Sequence, residues 1–466
     1  MNPLKKLASQ TAIYGLSSVI GRLLNYLLVP LYTRYFLPEE YAVVIEMYAY
    51  VAFLVIVLTY GLETAFFRFS KKENDGKVVY STALISLIIS SFIFMLLMFV
   101  GSSSIANYLG YGIEPSFIQW FAIIVGLDAI SSISFAKLRE EEKAVRFVTI
   151  KLFSIFINIG LNLYFIMHKG FGIEYIFISN LISSIFTILC LVPEMAKVKF
   201  TFDKILWKKM MIYALPLLIA GLAGTTNETV DRILLKHLLP NPETAPYELG
   251  LYGAFYKLSI IMILFIQTFR FAAEPFFFAQ HKQKEDRKIY ADVMKYFTIV
   301  TIVIFLAVTI FYDFVIDFLG PAYHDERGFL TVSILLLANL FLGIFFNLSI
   351  WYKLTEKTIF GAYLAIFGAI ITLALNFILI PKIGFVGSAW ATLICYFSMI
   401  VVSYFIGQKH FPIPYQVGRI LAYLFSMLGI YFLVYNHYFN LGINSLLLLG
   451  FIIFVYILEK PKSIKL

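Results

Sequence analysis

Residues 329–352 read FLTVSILLLANLFLGIFFNLSIWY, a run that contains no Lys, Arg, Asp or Glu. A helix needs about 20 predominantly apolar residues to cross the hydrocarbon core of a bilayer. A spanning β-strand would need only about 10 residues and would alternate apolar with polar side chains. This run is continuous and about twice the length of such a strand, so it predicts a transmembrane helix.

Thirteen further runs of this kind fill most of the 466 residues. Numbered in chain order, the predicted spans 1 to 14 are 10–33, 40–62, 78–101, 116–136, 147–167, 173–193, 209–235, 251–273, 291–318, 329–352, 358–380, 388–407, 417–436 and 442–458. Hydrophobic residues make up 61% of the chain and charged residues 14%, against about 25% charged in soluble domains. This excludes soluble globular, disordered and fibrous proteins. We predict an all-α polytopic membrane protein with about 14 transmembrane helices.

Two features that could suggest processing or redox chemistry have simpler interpretations. Lys5 and Lys6 precede an apolar stretch, as in a signal peptide, but Arg22 interrupts the stretch and no small-residue cleavage site follows. Cys190 and Cys395 lie in separate spans and form neither a disulfide framework nor a metal-binding spacing. We therefore expect residues 10–33 to be the first transmembrane helix, and we expect no metal.

Lysine and arginine are distributed unevenly between alternate loops. The two termini and the loops after even-numbered spans, here called the cation-rich side, contain 26 of the 37 Lys and Arg residues when Lys209 and Arg419, in the first turns of spans 7 and 13, are included. The loops after odd-numbered spans, the cation-poor side, contain 5. Positive charge favours the cytoplasmic side, so this distribution predicts cytoplasmic termini and an even number of spans. The net charge of +9 thus indicates membrane orientation rather than nucleic-acid binding.

A short internal repeat indicates two related halves. Leu161-Asn162 followed by Gly170-Phe171 recurs 214 residues later as Leu375-Asn376 followed by Gly384-Phe385. Six spans per half would make the halves parallel, an arrangement known from transporters with a central binding site. The predicted domains are an N-lobe of spans 1–6 (1–200), a C-lobe of spans 7–12 (201–410), and spans 13 and 14 with the tail (411–466). The two lobes would surround a central cavity.

The candidate functional groups are selected charged side chains in the spans or directly beside them, because a charge at the bilayer centre is costly and usually faces a cavity or another charge. They are Arg22, Glu46, Asp128, Glu228, Asp231, Arg232, Lys257, Arg270 and Glu274. One interpretation is a water-filled cavity whose cations bind an anionic headgroup, namely Arg22, Arg232, Lys257 and Arg270. The alternative is that pairs four residues apart on one helix face hold helices together, as Glu228–Arg232 and Arg270–Glu274 would. For Asp128 the alternative is a local hydrogen bond with Ser131 or Ser132.

Several classes of enzyme are disfavoured. The sequence contains no phosphate-binding loop, nucleophile elbow or zinc motif. A membrane polymerase would need a substantial external loop for its catalytic groups, but the longest loop on the cation-poor side has about 15 residues. We expect no catalytic activity and no cofactor. If transport is coupled to a proton or sodium gradient, the carboxylates available to carry the coupling are Glu46, Asp128 and Glu274.

Three stretches resemble polysaccharide-transport proteins of the Wzx type, in the multidrug/oligosaccharidyl-lipid/polysaccharide exporter superfamily. They are VDRILL at 230–235, LGLYGAFYKL at 249–258 and LNFILIPKIGFVGSAWAT at 375–392. The resemblance implies a flippase that moves an oligosaccharide, linked through diphosphate to undecaprenol, from the inner to the outer leaflet by alternating access. In that family helices 1, 2, 7 and 8 line the cavity, which implies substrate-binding roles for Arg22, Glu46, Asp231, Arg232, Lys257 and Arg270. Helices 13 and 14 would form a groove for the lipid tail.

The same resemblance implies a cellular role. We expect a multi-pass protein of the bacterial cytoplasmic (inner) membrane that serves O-antigen (lipopolysaccharide), capsule or exopolysaccharide synthesis. Its partners would be membrane lipid, the lipid-linked oligosaccharide, and also glycosyltransferases and a polymerase. The alternatives are an ion-coupled multidrug or small-molecule antiporter of the same superfamily, which would need only twelve helices, and a lipid II flippase.

Overall fold

The computed structural model describes residues 15, 19–71, 76–110, 114–196, 201–282, 287–436 and 440–459. Within these ranges the chain is helical and contains no β-strand. In the described part of the chain, thirteen helical segments are long and apolar enough to cross a membrane, and they coincide with predicted spans 2 to 14. This confirms the all-α polytopic fold class. Predicted span 1 lies partly outside the described residues.

The chain divides into two compact units, Met1–Gly253 and Ala254–Leu466. In the first unit, the short helix Val29–Tyr35 lies at the end of span 1, and span 2 consists of Pro38–Thr59 and Leu62–Ser70. The other helices that begin in this unit are Gly76–Leu109 (span 3), Pro115–Glu140 (span 4), Ala144–Asn162 with the π-helix Leu163–His168 (span 5), Glu174–Ala196 (span 6), Lys204–Leu238 (span 7) and Ala245–Lys282 (span 8). The helices of the second unit are Lys288–Ile310 (span 9), Tyr312–Ile316, the 3-10 turn Pro321–Tyr323, Gly328–Leu348 and Ile350–Leu354 (span 10), Ile359–Ile383 (span 11), Phe385–His410 (span 12), Val417–Tyr435 (span 13) and Leu441–Glu459 (span 14). Span 8 crosses the boundary between the units.

The first unit has a core at its cation-rich end, where spans 2, 3, 4 and 7 meet. Its buried side chains include Leu62, Phe66, Tyr80, Leu84, Ile133, Met210 and Ala214. Two polar side chains near this core have partners: Tyr80 is hydrogen-bonded to Ser134 Oγ at 2.9 Å, and Trp207 Nε1 donates to Ser86 Oγ at 2.8 Å. Such pairing is required where no water reaches the helices. The core fixes span 2 against the first turns of span 7.

At the cation-poor end of the first unit, span 8 begins directly against span 2. A Cβ atom at Gly250 would overlap the main-chain carbonyl of Pro38. Small residues let helix backbones approach closely in membranes. Gly250, the first glycine of the LGLYGAFYKL stretch, is therefore required by the close packing of spans 2 and 8, which the sequence alone did not show.

The two copies of the internal repeat share two local features. Gly170 and Gly384 both adopt positive φ angles, 66° and 61°, where residues with a side chain are disfavoured. Asn162 and Asn376 are both fully buried, and each donates to the carbonyl four residues earlier at 2.8 Å. The repeat in sequence is thus accompanied by a positive φ at the glycine and the same asparagine contact, although the first copy passes through the π-helix Leu163–His168 and the second stays α-helical to Ile383.

Spans 13 and 14 are joined to span 9 of the second unit by a polar cluster near their cation-rich ends. Glu459 at the end of span 14 accepts hydrogen bonds from Lys295 at 2.5 Å and from the Tyr423 hydroxyl at 2.6 Å, and Arg419 lies 3.3 Å away. Lys295 is almost fully buried. This cluster holds both C-terminal helices in register with the rest of the unit.

Candidate functional site

Glu46 of span 2 is fully buried (0% exposed) in the first unit, and two groups contact its carboxylate. Lys236, at the end of span 7, places Nζ 3.0 Å from Oε2, and the Tyr50 hydroxyl donates to Oε1 at 3.2 Å. Lys236 also donates to the main-chain carbonyl of Leu109, the last residue of the span 3 helix. A buried carboxylate is tolerated only when it is paired and hydrogen-bonded. Lys236 therefore connects spans 2, 3 and 7 near the cation-poor side.

Asp231, one helical turn earlier on span 7, is also buried. The Tyr252 hydroxyl of span 8 donates to its Oδ2 at 2.5 Å, and the main-chain N–H of Arg232 donates to Oδ1 at 2.9 Å. The Arg232 guanidinium lies 3.8 Å from the same carboxylate and donates to the carbonyl of Glu228 at 2.7 Å. Asp231 thus offsets much of the charge of Arg232, and Tyr252 fixes the carboxylate's orientation.

Asp128 of span 4 accepts a hydrogen bond from Ser184 Oγ of span 6 at 2.9 Å. The sequence suggested Ser131 or Ser132 of its own helix, but Ser132 donates to a main-chain carbonyl of that helix instead. The contact to Asp128 therefore joins two helices. Arg22 is exposed in the described part of span 1, and Lys257 is half-buried on span 8.

The second unit contains a small pocket at the cation-rich ends of spans 8 and 10. Arg270 and Glu274 are four residues apart on span 8, and their charged groups lie 3.8 Å apart, which confirms that they share a helix face. Lys353 of span 10 donates to the same Glu274 carboxylate at 2.5 Å. The Arg270 guanidinium lies over the Phe346 ring, 3.9 Å from its centroid. Asn347 also lines the pocket.

Two polar atoms in the wall of this pocket have no hydrogen-bond partner among the described residues. They are Nε of Arg270, a donor, and Oδ1 of Asn347, an acceptor. Buried polar atoms without partners are unusual in folded proteins. Both atoms are buried, so the groups that the pocket offers to a ligand are two cations beside an aromatic ring. Those groups suit a ligand that carries phosphate.

The sequence missed two cations that the structure brings to these sites, Lys236 and Lys353. Each follows its predicted span by one residue, because spans 7 and 10 end at positions 235 and 352. Both were therefore counted as loop residues. A lysine stem is long enough to reach back along apolar surface, so a cation directly after a span was the available signal. Among the described residues there is no group of three His, Cys, Asp or Glu residues that could hold a metal ion.

Comparison with known proteins shows the family to which the chain belongs. Residues 7–279, more than half of the chain, match the family described as polysaccharide biosynthesis protein. The chain belongs to the polysaccharide biosynthesis protein family. The match includes Glu46, Arg232, Arg270 and Glu274, and it confirms the resemblance on which the sequence analysis relied. A search of curated proteins found none that matches this chain.

Solved transporters share the fold of this polysaccharide biosynthesis protein. The lipid II flippase MurJ in an inward closed conformation aligns with 95% of this chain and 98% of its own, at 18% identity and a TM-score of 0.71. An inward-facing multidrug resistance MATE family transporter of the MOP superfamily aligns with 88% of this chain and 95% of its own, at 16% identity and a TM-score of 0.68. A MOP superfamily transporter from Pyrococcus furiosus Vc1 aligns with 87% and 94%, at 14% identity and a TM-score of 0.59. At these identities the matches show a shared fold.

Proposed function

We propose that this protein is a flippase for undecaprenyl-diphosphate-linked oligosaccharides in the synthesis of a surface polysaccharide. The observation that carries the proposal is the pocket of the second unit, in which Arg270 and Lys353 lie beside Phe346 and Asn347. Arginine and lysine bind phosphate, an aromatic ring can pack against a sugar, and an amide accepts from a hydroxyl group. Membership of a polysaccharide biosynthesis family supports a sugar-bearing substrate.

The position of the pocket fits loading from the cytoplasm. Arg270 and Lys353 lie at the cation-rich ends of their helices, and the charge distribution assigns that side to the cytoplasm. A lipid-linked oligosaccharide made there by glycosyltransferases would reach the pocket with its diphosphate at the membrane surface. On this proposal the protein lies in the bacterial cytoplasmic membrane, and a polymerase would use the oligosaccharide after it is flipped.

A multidrug antiporter is the nearest alternative, since MATE transporters share the fold. Two observations favour the flippase. The solved MATE transporters align with 88–91% of this chain, whereas the lipid II flippase MurJ aligns with 95%. The pocket also contains two cations and one carboxylate, so its net charge would disfavour the cationic compounds that many drug exporters carry. Lipid II, itself a diphosphate lipid, stays a second candidate substrate because of the fold similarity to MurJ.

Coupling to an ion gradient would require a carboxylate that the substrate or the conformational change can expose. Glu46 and Asp128 stay the proposed carriers, and both have a hydrogen-bonding partner on a different helix. A helix movement that separates Glu46 from Lys236 would leave the carboxylate free to take up a proton. Glu274 was a third candidate, and its contacts suggest another role, described below.

The test is transport by the purified protein in proteoliposomes. Three labelled compounds are compared: an undecaprenyl-diphosphate oligosaccharide, lipid II and an organic cation. We expect the label of the oligosaccharide lipid to become inaccessible to a membrane-impermeant quencher, at a rate above that of protein-free vesicles. Movement of lipid II alone would make the protein a lipid II flippase. Gradient-driven movement of the cation alone would make it an antiporter.

A further inference from the structure

Glu274 occupies the place where an anionic ligand of the second unit would bind. Its carboxylate lies 2.5 Å from Lys353 Nζ and 3.8 Å from the Arg270 guanidinium, so both cations of the pocket face it. The Glu274 side chain is 40% exposed. An ion pair with this exposure is weak and can be exchanged for another anion. The two cations therefore bind the Glu274 carboxylate weakly, and another anion can replace it.

The remaining groups of the pocket are not satisfied by Glu274. Arg270 Nε and Asn347 Oδ1 have no hydrogen-bond partner in the described part of the chain. A carboxylate has two acceptor oxygens, whereas a diphosphate has more acceptor oxygens and greater charge. A diphosphate could therefore accept from Lys353 and from the Arg270 guanidinium together, with oxygens left over.

We infer that Glu274 is a built-in counter-ion that fills the anion-binding pocket of the second unit until a diphosphate group displaces it. This inference rests on the proposed function and names the residue that sets its selectivity. With Glu274 in place, the pocket carries two positive charges and one negative charge. A singly charged anion gains little by replacing the carboxylate. A diphosphate carries more charge than the carboxylate and can pair with both cations, so the pocket selects for multiple charge.

A coupling role for Glu274 would make different demands. A residue that carries a proton or sodium ion must be ionised for one half of the transport cycle, and its removal should uncouple transport from the gradient. A counter-ion competes with the substrate for the same cations, so its removal should strengthen anion binding. The sign of the change in affinity distinguishes the two roles.

The experiment measures binding of inorganic pyrophosphate to the purified full-length chain in detergent, by calorimetry. We expect Glu274→Gln to lower the Kd about five- to tenfold, because the competing charge is removed while the size of the side chain is kept. Lys353→Met should raise the Kd at least about tenfold. The matched control is Glu356→Gln, which removes an exposed carboxylate only three residues from Lys353 and should leave the Kd within about twofold of the wild type.

The inference is overturned if Glu274→Gln leaves the Kd unchanged or raises it, or if Glu356→Gln lowers it equally. Glu274→Asp provides a second variant should the glutamine protein not fold. Its carboxylate is one methylene further from Lys353, so we expect a gain in affinity of about two- to threefold. An aspartate protein with unchanged or weaker binding would also overturn the inference.

A second arm separates a lipid headgroup from free diphosphate and keeps the inference distinct from the proposed function. Nanodiscs with undecaprenyl diphosphate are compared with nanodiscs that lack it, and pyrophosphate is used as the competitor. We expect the lipid to compete, and to compete better in Glu274→Gln. If pyrophosphate binding follows the expected order but no lipid-linked sugar is flipped, the counter-ion stands and the flippase proposal fails. If a lipid-linked sugar is flipped and the affinities for pyrophosphate do not change among the variants, the flippase proposal stands and the counter-ion inference fails.

Discussion

Replacing Lys236 by Met should leave the Glu46 carboxylate buried without a cation. Glu46 is fully buried, and Lys236 Nζ lies 3.0 Å from it. Removing one partner of a buried ion pair typically costs about 3–5 kcal/mol of stability. The Leu109 carbonyl loses a donor as well, which adds about 1 kcal/mol or more. We therefore expect Lys236→Met to lower the free energy of unfolding by at least about 4 kcal/mol.

The double variant Glu46→Gln/Lys236→Met tests the cause of that loss. It removes both charges, and a neutral amide can still accept from Tyr50. Replacing a whole buried ion pair is often close to neutral. We expect the double variant to recover more than half of the loss, so that only about 1–2 kcal/mol remains, mainly from the Leu109 carbonyl.

The assay is unfolding in detergent micelles, followed by tryptophan fluorescence, on four proteins prepared identically. The fourth is Lys209→Met, which removes an exposed lysine from the other end of the same helix and should cost less than about 0.5 kcal/mol. The expected order of stability is wild type and Lys209→Met, then the double variant, then Lys236→Met. Equal stability of the two single lysine variants would refute the argument. So would a double variant no more stable than Lys236→Met.

Two further perturbations test other parts of the structure. Tyr252→Phe removes the hydroxyl that donates to Asp231 at 2.5 Å, and thermal unfolding should show a loss of about 1–3 kcal/mol, because a buried carboxylate loses a donor; no change would mean that another group takes its place. On the cation-poor side, Arg327 donates to Asp325 through Nε, Nη2 and its main-chain N–H, all at 2.9 Å, which lowers the pKa of the Asp325 carboxyl. The contacts that lower this pKa stabilise the loop at pH values above the ordinary carboxyl pKa. This stabilisation is lost as the pH falls through the lowered pKa. The Tm advantage of wild type over Asp325→Asn should therefore persist at neutral pH and shrink below about pH 4. An advantage that is independent of pH would contradict this assignment.

Much of the fold could be predicted from the sequence, because the signals for transmembrane helices are local. A run such as 329–352 must be helical in lipid. Contacts within one helix were also predictable, since Arg270 and Glu274 are four residues apart and do meet. The positive φ of Gly170 and Gly384 follows the internal repeat, which the sequence shows directly.

Partners on different helices could not be predicted, because they depend on packing that no local pattern encodes. Glu46 and Lys236 are 190 residues apart, and Asp128 and Ser184 are 56 apart. Lys353 was assigned to a loop because it follows an apolar run, although its stem reaches a carboxylate of span 8. Candidate charges were thus found singly, whereas the groups that neutralise them were not.

The most direct test of the central claim is the rate at which proteoliposomes flip an undecaprenyl-diphosphate oligosaccharide, compared between Arg270→Ala and Arg287→Ala. The two arginines are matched, since Arg270 lies over Phe346 at 3.9 Å and Arg287 lies over Phe411 at 4.2 Å, outside the pocket. Losing a charge-assisted contact to a diphosphate should slow flipping by Arg270→Ala about tenfold or more, while Arg287→Ala flips at the wild-type rate. Equal rates in the two variants would contradict a diphosphate site in this pocket.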